Sequence, residues 1–179
     1  MKRMNLKQLL LCANLAVLGI VAKPLFSPLF NFITDFVRIP GGSMTAGVSM
    51  LFLVCGAALV HKPCTALLIG FLQGVLALST GISAVAGALV LITYSLPGIS
   101  IDAIMMLGQR IPLKERMILA GSLGVLTGSV ATNLLYFHLA LIPFLLFYIF
   151  GILSGGIGGY LAWRIMQRIP EHYRKEFGQ

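Results

Sequence analysis

Apolar residues run almost without a break from Gln8 to Met166, and short polar punctuation cuts that run into pieces of membrane-spanning length. A hydrocarbon core about 30 Å thick takes roughly 20 helical residues, with about 17 to 25 tolerated. Six stretches reach that length or fall just below it: about 8–22, 44–60, 64–79, 84–107, 117–137 and 144–166. The first three are the shortest. The pattern predicts an all-α polytopic membrane protein with six transmembrane helices. No polar linker divides the chain, so residues 1–179 read as a single integral membrane domain.

The punctuation differs in kind along the chain. His61-Lys62-Pro63 combines a charge with a proline and predicts a hairpin turn. Gly81-Ile82-Ser83 predicts a tight turn, 138–143 another, and 109–116 a hydrophilic loop. Residues 23–43 form the longest irregular stretch by this reading. They hold Lys23-Pro24, Ser27-Pro28 and Ile39-Pro40-Gly41-Gly42, which argue against one regular helix. Phe30, Phe32 and Phe36 argue against disorder there. The stretch is expected to be either an aromatic segment at the headgroups or a lid over an outward pocket.

Small residues recur every four positions in three of the stretches. They are Ala66, Gly70 and Gly74; Ala120, Gly124, Gly128 and Thr132; and Gly151, Gly155 and Gly159. This spacing places each set on one helix face, where backbones can approach closely. Packing within the chain is the first expectation, and contact with another subunit the second.

Charge then suggests an orientation. With the N-terminus inside, six spans leave the C-terminus inside, and eleven of the thirteen basic residues fall on the cytoplasmic side. Lys23 and Arg38 remain outside. Lys and Arg in short loops resist translocation, so an N-in, C-in topology is expected. Charged residues make up only 10% of the chain against about 25% in ordinary globular proteins, and the net charge of +8 needs no nucleic acid to explain it. Anionic lipid is the simpler partner. An uncleaved first helix is expected, because no small-x-small processing site follows Met1–Lys7 and its apolar run. Cys12, Cys55 and Cys64 are odd in number and would face a reducing compartment, so disulfides are not expected.

Catalytic patterns are scarce. Asp35, Asp102, Glu115, Glu171 and Glu176 make no pair at helical spacing within a span, and His61, His138 and His172 lie in separate loops or tails. No Gly-x-x-x-x-Gly-Lys-[Ser/Thr] phosphate loop occurs. The expectation is therefore neither an enzyme nor a metal or cofactor protein. Asp102 stands apart as an ionisable residue within a span, five residues after Pro97, and such a residue is a functional candidate by default. Its alternative is structural: capped by neighbouring donors, or paired with Arg110 or Arg116.

Under the six-span topology the outer halves of the spans collect Thr45, Ser49, Gln73, Thr80, Thr93, Tyr94, Thr132, Asn133, Tyr136 and Tyr148. Apolar walls with a few converging polar groups suit a small-molecule site. Arg38, beside a Pro-Gly-Gly segment able to bend over a cavity, offers a planar fork of donors to a carboxylate or phosphate. The binding candidates are Arg38, Thr45, Gln73, Thr80, Tyr94, Asn133, Tyr136 and Tyr148. Trp163 reads as an interfacial anchor.

A small six-span chain with a basic N-terminus, a long first outer loop through 36–47 and a Lys-Pro inner turn resembles the substrate-binding S component of energy-coupling factor (ECF) transporters. The resemblance implies a membrane-embedded, high-affinity binder of a vitamin or related micronutrient in a bacterial or archaeal cell membrane. Its implied partners are a transmembrane coupling protein and two cytoplasmic ATPases, which supply the ATP hydrolysis. That family meets its coupling protein through an Ala-x-x-x-Ala pattern on the first helix, matched here by Cys12-x-x-x-Ala16 with cysteine in the first position. The competing expectations are a self-contained ion-coupled transporter or channel using Asp102, and an assembly factor without a ligand.

Overall fold

The computed structural model describes residues 4–35, 42–82, 87–137 and 141–178. Those residues are helical apart from short connections. The helices are α1 (Leu6–Asp35), α2 (Gly42–Val60), α3 (Thr65–Thr80), α4 (Leu89–Leu107), α5 (Leu113–Thr132), α6 (Leu141–Arg168) and α7 (Glu171–Gly178). A 3-10 turn at Gly108–Arg110 follows α4, and a π-helical turn at Asn133–Phe137 prolongs α5. Four segments are long and apolar enough to cross a membrane: Leu6–Leu29, Leu89–Arg110, Leu113–Tyr136 and Phe147–Arg168. α2 and α3 are shorter apolar helices. The chain is an all-α, multi-pass membrane protein.

The first helix overturns part of the sequence reading. The irregular stretch expected at 23–43 is helical as far as Asp35, with Pro24 and Pro28 inside α1. Each proline removes one backbone donor, leaving the carbonyls of Ile20 and Pro24 without their usual partners. Ending the helix there would instead free four carbonyls beside a bilayer, which is the larger cost. The two prolines lie four apart on one face, both exposed, so neither ring is forced into a neighbouring helix. Residues 36–41, with Arg38 among them, lie outside the described residues, as do 83–86 and His138.

α1, α3, α4, α5 and α6 follow one another in an arc, and α2 lies against all five. α2 is accordingly the core helix: Leu53 to Val60 are buried without exception. Large apolar side chains cover the outside instead, including Leu10, Val17 and Leu18 of α1 and Ile149, Leu153 and Ile157 of α6. Such a surface would be a liability in water and is what lipid requires.

The small-residue stripes pack against neighbouring helices of the same chain, as the first expectation had it. A methyl placed on Gly98 of α4 would come within 2.5 Å of the Ala66 carbonyl oxygen and 2.6 Å of Leu67 Cα in α3. Gly74 faces Leu91, and Gly128 faces Pro97. Gly155 and Gly159 of α6 lie against the backbone of α5 at Gly121 and Met117. Sequence spacing did not single out a close approach of α2 to α6, where a methyl on Gly158 would collide with the Gly47 carbonyl oxygen. At each contact the absent side chain lets dispersion act over backbone atoms, the main attraction available between helices in lipid.

The N-terminus of α1, the α2–α3 turn and α7 meet at one end of the bundle. The side-chain amide of Gln8, almost fully buried, donates to the Phe177 carbonyl at 2.7 Å. Its Oε1 accepts from Lys62 Nζ at 2.9 Å and from the Asn5 amide at 3.0 Å. Lys7 pairs with Glu176 at the rim, holding that exposed carboxyl below its ordinary range. The turn itself holds His61 and Cys64 at positive φ, 52° and 63°, and Thr65 Oγ1 donates to the Lys62 carbonyl at 2.8 Å. This is the basic end.

Candidate functional site

Asp102 has a structural task. Its Oδ1 accepts the Ala66 amide at 3.0 Å and its Oδ2 the Leu67 amide at 2.9 Å, so both oxygens are used by the first turn of α3. The residue before that helix, Cys64, supplies no side-chain cap. An uncapped first turn would leave buried donors unsatisfied, and a carboxylate on a neighbouring helix removes the problem. Gly98 makes the geometry possible. It lies one turn before Asp102 on the same face and brings α4 into contact with Ala66 and Leu67. Of the two expectations for Asp102, the structural one describes it, with backbone amides in place of Arg110 or Arg116.

At the opposite end of the bundle, polar groups converge between α1, α3 and α4. One face of α1 carries Gln8, Cys12, Ala16, Gly19 and Lys23, spaced to point into the bundle. Lys23 is half-buried; its Nζ donates to Tyr94 Oη at 2.9 Å and lies 4.0 Å from the ring centroid. Close by, the Gln73 amide lies against Gly19, where a methyl would collide with its Nε2. Gln73 is 1% exposed, and this Nε2 has no hydrogen-bond partner. Gly74 joins the two, since a methyl there would meet Tyr94 Cβ at 3.3 Å. An unmade hydrogen bond on a buried amide costs about 1–3 kcal/mol. A ligand acceptor would recover it. The cluster offers an ammonium, a phenol hydroxyl and an amide donor, a set suited to carboxylate, phosphate or ring carbonyl oxygens.

The remaining predicted residues are spread more widely. Thr80 is exposed at the end of α3, and its hydroxyl donates to the Leu76 carbonyl of its own helix. Thr93 likewise bonds the Val90 carbonyl, and Thr132 the Gly128 carbonyl. Thr45 and Asn133 are buried at the start of α2 and in the π-helical turn after α5. Tyr136 is half-buried in that same turn, and Tyr148 packs edge-on to Phe147 with centroids 6.3 Å apart. Ser49 of α2 is buried with its Oγ unpartnered. The structure thus brings together Gln73 and Tyr94 and adds Lys23, which the sequence marked only as one of two outer basic residues.

Cys12 and Ala16 are fully buried in the core with Leu53, Ile69 and their neighbours. In this packing neither is presented to another protein. Among the described residues no three His, Cys, Asp or Glu side chains gather where they could hold a metal ion. Cys12, Cys55 and Cys64 are free thiols. Trp163 stacks at a tilt on Tyr160, and Lys114 and Arg164 lie over the two rings, which places an aromatic-basic belt at the end of α6.

No family model, no curated protein and no solved structure matches this chain.

Proposed function

We infer that the protein is the membrane-embedded binding subunit of a small-molecule importer, of the kind the S components of ECF transporters represent. The observation that carries this reading is the Gln73 amide, buried without a partner beside the Lys23–Tyr94 pair. A membrane protein has no water at hand to satisfy such a group, so it is costly unless something binds it. In this reading α1 to α6 all cross the bilayer, the shorter α2 and α3 included, with the basic end cytoplasmic and the Lys23 cluster facing out. Lys23 lies sixteen residues beyond Lys7, about 24 Å along α1, which puts the two charges near opposite faces of the apolar core.

The ligand is an acceptor-rich small molecule of vitamin size, carrying a carboxylate, phosphate or ring carbonyl toward Lys23 and Gln73. Arg38, Thr45, Asn133, Tyr136 and Tyr148 belong to the same outer half in this topology. The chain has no phosphate loop, so ATP hydrolysis falls to two separate cytoplasmic ATPases acting through a coupling protein. With Cys12 and Ala16 turned inward, that protein would meet α1 on its outward face, at Leu10, Val17 and Val21. The ion-coupled alternative has less support, because α3 already occupies both oxygens of Asp102.

Native mass spectrometry of gently purified protein tests the reading. A co-purifying small molecule is expected, and Lys23→Met should weaken its binding about ten- to a hundredfold, the range for one charge-assisted hydrogen bond. Uptake into vesicles that needs no ATP and stops when the proton gradient is collapsed would overturn it.

A further inference from the structure

A second feature lies at the basic end, away from the Lys23 cluster. A cavity of about 350 Å³ opens on the side of the bundle between α4 and α5. Ala103, Ile104 and Leu107 of α4 form one wall, Leu119 and Leu123 of α5 the other, and Ile111 of the connecting turn the floor. The lining is apolar and outward-facing; Leu107 is 84% exposed.

Arg116 lies on the same face of α5 as Leu119 and Leu123, three and seven residues before them, and so one turn nearer the basic end. Its stem packs against Gly108, one of the lining residues, since a methyl there would meet Arg116 Cδ at 3.1 Å. The Arg116 Nε is buried there and has no hydrogen-bond partner. Arg110 and Lys114 are exposed on the same connection. The neighbouring acid, Glu115, points about 100° round the helix from Arg116.

We propose that this groove is a binding site for an anionic glycerophospholipid, one acyl chain lying between α4 and α5 and the phosphate on Arg116. The groove is lined by apolar side chains and opens on the outer face of the bundle, so an acyl chain can lie along it. Charge favours an anionic headgroup, because Arg116, with an unpartnered Nε beside the lining residue Gly108, and the exposed Arg110 and Lys114 gather donors suited to a phosphate at this end of an apolar groove. Basic sites between helices at a cytoplasmic surface recognise such headgroups.

Full-length protein taken from nanodiscs of equal phosphatidylglycerol and phosphatidylcholine, then observed by native mass spectrometry, tests the site. Wild type should retain phosphatidylglycerol in about tenfold excess, and Arg116→Gln should remove most of that excess. Ala103→Trp, filling the slot, should lower retention of both lipids. Leu123→Trp from the opposite wall serves if that variant does not fold. If Arg116→Gln does not fold, Arg116→Lys should keep part of the preference while Arg110→Gln leaves most of it. Equal retention of the two lipids by wild type, or a preference unchanged in the Arg116 variant, would overturn the proposal. So would retention that survives slot filling, or a co-purified polypeptide displaced in place of lipid.

Discussion

The two ends of this bundle treat buried polar groups in opposite ways. At the basic end, Gln8 spends its amide and its oxygen on Phe177, Lys62 and Asn5, and Asp102 spends both oxygens on the first turn of α3. At the other end, Gln73 Nε2 is buried without a partner near a lysine-tyrosine pair, and Ser49 Oγ of α2 is buried without one too. The same residue type, glutamine, is satisfied in one place and not in the other. A satisfied network rigidifies and specifies packing, whereas an unsatisfied one costs stability unless a ligand completes it. In the proposed reading the first is architecture and the second is where a ligand binds. Arg116 is the exception at the basic end, and its free donor is what points to a lipid there.

The contrast breaks most visibly at Asp102. Asp102→Leu should destabilise the protein by about 3 kcal/mol, because buried amides lose charge-assisted acceptors. Asp102→Asn should lose less and should bind ligand normally, both read by thermal unfolding and binding in detergent. A folded Asp102→Asn protein that no longer transports would make the carboxylate a coupling group instead. Gly98→Val comes next. Its added side chain collides with Ala66 and Leu67, and a loss of about 2 kcal/mol is expected. Asp102 capping should weaken with it, so the double variant should cost less than the sum of the two.

Gln73 should behave in the reverse sense. Gln73→Leu removes an amide that has no partner, so the unliganded protein should be as stable or about 1 kcal/mol more stable. Ligand affinity should fall about tenfold. A variant that loses stability and keeps affinity would place Gln73 with Gln8, on the architectural side. The smallest effect is expected at the Lys7–Glu176 pair, which is exposed. Because the folded-state pKa of Glu176 is lowered, its contribution is complete above the ordinary glutamate value of about 4.3. It disappears as pH falls through the lower folded value. Hydrogen-exchange protection of α7, corrected for intrinsic rates, should stay flat from neutral pH down to about 5 and decline only below 4.3. Glu176→Gln should remove that decline.

Membrane character was legible in the sequence because it depends on composition over windows of helix length, and solvation by lipid responds to nothing finer. The four-residue glycine stripes were legible for a related reason: the face they form is fixed by the helical repeat, whatever lies opposite. The His61–Pro63 turn was readable from local chemistry alone. Which helix each stripe meets, however, belongs to the arrangement of α2 at the centre of an arc. Gly47 and Gly158 looked unremarkable until that arrangement set them against each other.

The tertiary structure alone decided three further matters. Pro24 and Pro28 read as helix breakers by local rule, yet α1 continues through them, because near a bilayer a terminated helix costs more than an interrupted one. Cys12 and Ala16 have the spacing of a contact face, but spacing does not say which neighbour the face meets, and here it meets the chain's own core. The role of Asp102 depended on a helix end 35 residues earlier that lacked its own cap. Sequence by itself determined what must be hidden from water and what must lie along one helical face. Only packing determined which buried polar groups found partners, because hydrogen-bond satisfaction is a property of pairs brought together from distant parts of the chain.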